Sequence, residues 1–184
     1  MYGMLSKKMY VENIWTHEGP RLILPNNVVS NLQSYKQLAF DVPESGGLLL
    51  GRRIIGTQDG IIDEITAPMA GDVQKRAYFF RGQGHVRRQG QYWKETTTTG
   101  QLLGVWHTHP EPIPTPSTTD LQDWKNVLKK CGDPKKPQYF VIVGQEQICV
   151  WIGVRRKLLP PQFLPCVLEG GCKEVGDGVS LVVY

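Results

Sequence analysis

No apolar run in this chain approaches the roughly 18–20 residues that a membrane-crossing helix needs. The first residues, interrupted by Ser6, Lys7, Lys8, Glu12 and Asn13, lack the apolar block of a secretory signal. Both absences point to a soluble, cytoplasmic protein. Cysteine is sparse. Cys131, Cys149, Cys166 and Cys172 are scattered and none lies in a CxxC pair, which argues against a disulfide-stapled secreted domain and a cysteine-built zinc site. They read as reduced thiols without a functional assignment. There is no internal repeat, and no low-complexity segment beyond Thr96–Thr99. An HExxH helix is missing, as is an HxE followed by PCxxC, so zincin and nucleobase-deaminase chemistries are excluded. Excess charge is small, a net +4, and comes from dispersed pairs such as Arg52-Arg53, Arg87-Arg88 and Lys135-Lys136. Such pairs form a solvated surface rather than a nucleic-acid footprint, and leave an acidic protein as the partner they would favour.

What is present suffices for one core: 184 residues, 40% of them hydrophobic, within the range of a single domain. Val28, Val29, Leu32, Tyr35, Leu38 and Ala39 recur at helical intervals, predicting a helix over 28–40 capped by Asn26 or Asn27 and broken at Asp41-Val42-Pro43. Gly46 to Ile55 reads as a buried strand, and Gln58-Asp59-Gly60 as the turn of a hairpin returning over 61–67. Short strand character appears at 78–80, a helix at 86–95 and a strand at 101–108. A second amphipathic helix spans 117–130 and stops at Cys131-Gly132. A final hairpin joins 139–143 to 148–154, while Pro160, Pro161 and Pro165 predict a loosely structured tail. The order implies an α+β arrangement, a mixed sheet covered by helices, with strand order left open.

Within Gly104-Val105-Trp106-His107-Thr108-His109-Pro110 the histidines lie two apart on an extended strand, so both imidazoles project from one face while Trp106 and Thr108 face the other way. Two such rings can serve one metal, or can simply be hydrogen-bonded histidines at a strand end. Prolines at 110, 112, 114 and 116 hold the next segment extended. Ser117-Thr118-Thr119-Asp120 then opens a helix. Asp120 fits a third ligand of a zinc site that leaves its fourth position to water. A helix capping box is the other reading of the same four residues. His17 and His85 have no partner at ligand spacing and read as surface residues.

Together with Pro43-Glu44-Ser45-Gly46-Gly47-Leu48-Leu49-Leu50-Gly51, these pieces resemble the JAMM (MPN-plus) metalloprotease family: a glutamate before a glycine- and leucine-rich strand, then HxH, seven residues, and SxxD. The likeness covers about 28–154. It implies an α+β, cytidine-deaminase-like fold with a mixed curved sheet flanked by helices, and a catalytic domain at 26–156 between an N-terminal extension (1–25) and a C-terminal tail (157–184). It further implies one Zn2+ per chain on His107, His109 and Asp120, Glu44 as general base and acid, and oxyanion support from Ser117. In the family, the stretch corresponding to 71–100 pairs the extended tail of a protein substrate as an added strand. The wording from His107 to Trp124 is similar to the bacterial branch found in CBASS anti-phage operons. That likeness implies a cytoplasmic isopeptidase releasing a cGAS-like nucleotidyltransferase from its conjugates, opposing an E1/E2-like ligase and touching neither nucleic acid nor membrane. A peptidase trimming a ubiquitin-like sulfur carrier, or a catalytically silent MPN scaffold, are the other readings.

Overall fold

Three apolar segments, each buried on both faces, form the middle of the fold: β3 (Gly46–Arg53), β7 (Gln101–Thr108) and β8 (Gln138–Val143). The computed structural model describes residues 12–130, 133, 135–156 and 159–169. The remaining elements are β1 (Glu12–Thr16), β2 (Arg21–Pro25), α1 (Asn26–Gln33), β4 (Gly60–Ile65), β5 (Val73–Lys75), β6 (Tyr78–Phe80), α2 (Gln83–Glu95), α3 (Thr118–Lys130), β9 (Ile148–Val154), β10 (Gln162–Pro165) and β11 (Val167–Leu168). Nine strands make one mixed sheet in the order β10-β9-β8-β7-β3-β4-β2-β1-β11, and β5-β6 is a separate hairpin. Of the sheet's neighbours, β7/β8 and β2/β4 run parallel. The α+β class with a mixed sheet is therefore as read from the sequence.

The sheet is curled. A single residue, Cys166, separates β10 from β11, yet they pair with opposite edges, β9 and β1. Only a sheet whose edges approach each other allows this. Inside the curl and under α1 lies one core, including Leu24, Leu32, Leu49, Trp106, Val141 and Val150. On the outer face a second core, including Leu48, Val105, Phe140 and Ile142, is covered by Tyr92 of α2 and by Trp124 and Leu128 of α3. Trp124 stacks on Phe140 with ring centroids 4.6 Å apart, tilts against Trp151 and meets Phe163 edge-on. This aromatic cluster fixes α3 over β8.

Several expectations change. α1 starts at Asn26, with Pro25 at its N-cap and no side-chain cap, and it stops at Gln33 rather than near 40. Beyond it Leu38 and Phe40 are 72% and 80% exposed, so the apolar spacing at 35–39 belongs to no helix face. Phe40 instead lies under the Arg76 guanidinium. α2 begins at Gln83. β5 has no apolar alternation and was not anticipated. The tail is not loose where it is described: β10 and β11 are edge strands, a position that tolerates Pro165. β1 and β2, from the segment expected to be an extension, are likewise part of the sheet. His85, expected at the surface, is 1% exposed. Cys149 and Cys166 are free thiols, while Cys131, Gly132 and Cys172 lie outside the described residues.

Glycine is required where β7 meets β8. A Cβ on Gly104 would stand 1.7 Å from the Tyr139 carbonyl oxygen, whereas one on Gly90, in α2, would meet nothing within 4 Å. Gly104→Ala is therefore expected to lose about 3 kcal/mol or more of stability, and Gly90→Ala to gain about 0.5–1 kcal/mol. Urea unfolding of the two variants checks both signs.

Candidate metal centre

The pairing of β3 with β7 sets the site. Gly46 lies opposite His107 and Leu48 opposite Val105, so His107 projects to the outer face, toward α3. Trp106 points into the inner core and donates Nε1–H to the Thr66 carbonyl. At the strand end the Thr108 N–H donates to the Ser45 carbonyl and, one residue on, the His109 N–H donates to the Val143 carbonyl. These bonds keep the chain extended, so His109 emerges on the same side as His107.

Glu44 continues β3 two residues before Gly46 and so shares the face of His107. Its N–H donates to the Lys75 carbonyl at 2.8 Å, and its carbonyl accepts from Gln74 Nε2 at 3.0 Å. The glycine pair that follows is demanded by close neighbours: a Cβ on Gly46 would strike the Phe79 ring and one on Gly47 the Thr66 carbonyl.

Asp120 forms the cap and also faces the histidines. Oδ2 accepts from the Ser117 N–H and hydroxyl, both at 2.6 Å, while Ser117 Oγ accepts from the Asp120 N–H at 3.2 Å. This is a formed capping box. The same carboxylate straddles the histidines, Oδ1 lying 3.1 Å from His107 Nε2 and Oδ2 3.3 Å from His109 Nε2. The two Nε2 atoms are 3.1 Å apart. A tetrahedral ion with bonds of about 2.0–2.1 Å separates its donors by about 3.3–3.4 Å, so the two imidazole nitrogens stand within a few tenths of an ångström of that spacing, with one Asp120 oxygen against each of them. Glu44 Oε1 lies 3.9 Å from His107 Nε2, and the Glu44, His107 and His109 donor atoms all fall within 4.8 Å of one another. The structure thus brings Glu44, His107, His109 and Asp120 together at a cavity of about 300 Å³. Ser117, at its rim, has its hydroxyl turned to Asp120 rather than into the cavity.

The electrostatics are compatible with a bound cation. Burial pushes the Glu44 carboxyl up to about 8, against the attraction of His109 and Arg81. Burial acts on Asp120 in the same direction but is overcome by hydrogen bonds to the two imidazoles, which hold it well below the usual carboxylate range. His107 is lowered by burial. His109 is raised because its contact with Asp120 outweighs burial. A bound cation displaces protons from such a set and favours its charged carboxylates.

The sequence reading overlooked Arg81, which lines the cavity from the end of the β5–β6 hairpin and pairs with Asp123 of α3. No spacing rule connects these residues. The helical spacing over 28–40 likewise gives no separate role to Gln37, whose side chain is fully buried.

A family model described as prokaryotic homologs of the JAB domain matches residues 29–155. A curated relative from Vibrio cholerae serotype O1 (strain ATCC 39315 / El Tor Inaba N16961) is 33% identical over 156 residues, 83% of this chain and 94% of the relative. Another, from Escherichia coli (strain TW11681), is 30% identical over 154 residues, 83% and 91% of the two chains. Both are named CD-NTase/cGAS isopeptidase. The solution structure of protein DSY2949 from Desulfitobacterium hafniense superposes with a TM-score of 0.51 at 17% identity, over 76% of this chain and 87% of that one. This likeness concerns the fold alone.

The pH dependence of Glu44 is open to test. Its folded-state value of about 8 lies above its ordinary 4.5, so its stabilising contribution is complete below the ordinary value and is lost as pH rises through about 8. In chelator-treated protein, wild type should lose stability relative to Glu44→Gln between about pH 5 and pH 8.5, and a saturating divalent cation should abolish the trend. Parallel urea-unfolding curves for the two proteins across that window would show that Glu44 ionises freely.

Proposed function

The chain belongs to the family of prokaryotic JAB-domain homologs, and from that membership we propose that it is a zinc-dependent isopeptidase. In this reading it hydrolyses the amide bond after the C-terminus of a conjugated protein, releasing a cGAS-like nucleotidyltransferase from its targets in bacterial anti-phage defence. An E1/E2-like ligase, the source of the conjugates, is its functional antagonist, and both act in the cytoplasm. The observation that carries the proposal is the convergence of Glu44 with the His107, His109 and Asp120 triangle at one cavity. The chain that builds it aligns over most of its length with relatives named for cutting such conjugates.

His107, His109 and Asp120 would hold the zinc, which supplies a Lewis acid that polarises a carbonyl and makes water acidic near neutral pH. Glu44, whose buried carboxyl takes up a proton readily, accepts the proton of the attacking water and delivers it to the departing amine. The Ser117 hydroxyl, rotating away from Asp120, donates to the developing oxyanion. Tyr78, Phe79 and Arg81 form the wall of the cavity nearest the hairpin. An extended substrate tail laid along that hairpin leads its terminal carbonyl to the site. The presence of all five motif residues, gathered at or on the rim of one cavity, speaks against a silent scaffold.

The test is cleavage of a cGAS-like nucleotidyltransferase tail fused to a reporter. Wild type should cut at the junction, lose activity on chelation and regain it with zinc. Glu44→Gln should retain about one zinc per chain yet fall by about 10²–10⁴-fold in kcat. Asp120→Ala should lose both the metal and the activity. Cutting that survives chelation, or that is unchanged in Glu44→Gln, would rule out the mechanism. A zinc-loaded wild type that leaves this fusion intact would move the substrate to another ubiquitin-like tail, such as that of a sulfur carrier.

A further inference from the structure

Gln37 lies just beyond α1, 0% exposed, and its side-chain amide has a partner at each end. Nε2 donates to the Val42 carbonyl at 3.0 Å and to the Arg76 carbonyl at 2.8 Å. Oε1 accepts from the Thr108 hydroxyl at 3.0 Å. Because both carbonyls can only accept, the orientation of the amide is dictated by its partners. Its backbone carbonyl accepts in turn from Gln145 Nε2 at 2.8 Å. Thr108 Oγ1, besides donating to Gln37, accepts the Ser45 N–H at 3.0 Å. Three separate segments thus meet at the side-chain amide, the leader of β3 before Glu44, the β5–β6 turn and the residue between the two histidines, and a fourth, the β8–β9 turn, holds the same residue by its backbone.

An apolar side chain of the same shape would fill the space but would leave the Val42 and Arg76 carbonyls without this donor and the Thr108 hydroxyl without this acceptor. The bonds have a specific geometric result. Glu44 lies between Val42, held by Gln37, and Ser45, held by Thr108, and its own N–H is held by Lys75, the neighbour of Arg76. Its carboxyl stands 3.9 Å from the nearest imidazole nitrogen, so its place is set by the backbone on either side. We infer that Gln37 and Thr108 form a positioning unit that fixes Glu44 against His107 and His109. Neither touches the reacting atoms. The inference rests on the hydrolase reading above for its kinetic consequence and on the hydrogen bonds alone for its structural one. General acid–base catalysis depends on hydrogen-bond reach, and misplacement by about 1 Å can cost about 10²-fold.

The test uses Thr108→Val and Gln37→Met, which keep the volume and remove the bonds, with Thr108→Ser restoring the hydroxyl. Kinetics on the tail fusion, zinc content and backbone amide exchange are measured on each full-length variant. Thr108→Val and Gln37→Met should retain zinc and wild-type KM while kcat falls about 10- to 100-fold, and Thr108→Ser should recover most of the loss. Amide exchange should accelerate together at 44–46 and 74–77. Gln145→Ala, at a half-exposed position, folds even if the buried variants do not, and should show a smaller fall in kcat in the same direction. The inference is overturned if kcat is unchanged, if KM or zinc content carries the loss, if Thr108→Ser is as impaired as Thr108→Val, or if exchange changes in only one of the two segments. An inactive wild type in which the two segments still respond together would support the positioning unit and sink the substrate assignment instead.

Discussion

The register of β3 against β7 is the constraint on which the rest of the site depends. Gly46 opposite His107 places Ser45 against Thr108 and puts Glu44 on the face the histidines use. Strand side chains alternate, so a slip of one residue would turn the imidazoles into the inner core and Trp106 outward. The surrounding contacts hold the register. The Thr66 hydroxyl accepts the Leu48 N–H, the Thr66 carbonyl accepts Trp106 Nε1–H, and two glycines admit the Phe79 ring and the Thr66 backbone where any side chain would be refused. The conformational requirement and the chemical one fall on the same five residues, Glu44 to Leu48, of β3 and its leader.

The other half of the site arrives on α3, and its geometry follows from the same economy. Asp120 and Trp124 are four apart and share a helix face. Trp124 is anchored on Phe140, Trp151 and Phe163, so the packing that seats the helix on the sheet also delivers the carboxylate to the histidines. The position at the helix start favours negative charge there, and the capping box limits its rotation. A carboxylate has two oxygens and several lone pairs, enough to hold the cap and still meet both imidazoles.

Those parts were legible in the sequence because they are local. Two histidines at strand spacing, a serine and an aspartate at cap spacing, and the apolar runs of β3, β7, β8 and β9 all carry their meaning within ten residues. What was misread depends on distant partners. Leu38 and Ala39 imitate a helical stripe, yet Gln37 beside them is claimed by Thr108, Val42 and Arg76, and the helix ends first. His85 looks like a surface histidine until Asp72 and Thr66 close on it, at 3.0 and 2.6 Å. β10 and β11 have little pattern of their own and exist because the curled sheet offers each an edge. Short elements defined by their partners leave no period to read.

The described structure divides the groups proposed for chemistry from those proposed for recognition. Glu44, His107, His109 and Asp120 come from central strands and a helix locked to them by aromatic packing, and so are held rigidly. The wall of the cavity belongs to the β5–β6 hairpin, which stands outside the nine-stranded sheet and exposes Val73, Tyr78 and Phe80. Its root is tied down by Asp72, which accepts from the Met69 and Gly82 amides and meets buried His85. Its outer residues face solvent. Side chains there can vary without disturbing the contacts among His107, His109 and Asp120. Backbone changes cannot, because the Lys75 and Arg76 carbonyls are the acceptors that hold Glu44 and Gln37. The hairpin turn is therefore linked mechanically to the Glu44 carboxyl, so that in the proposed reaction contact with a substrate tail and proton transfer are coupled through it.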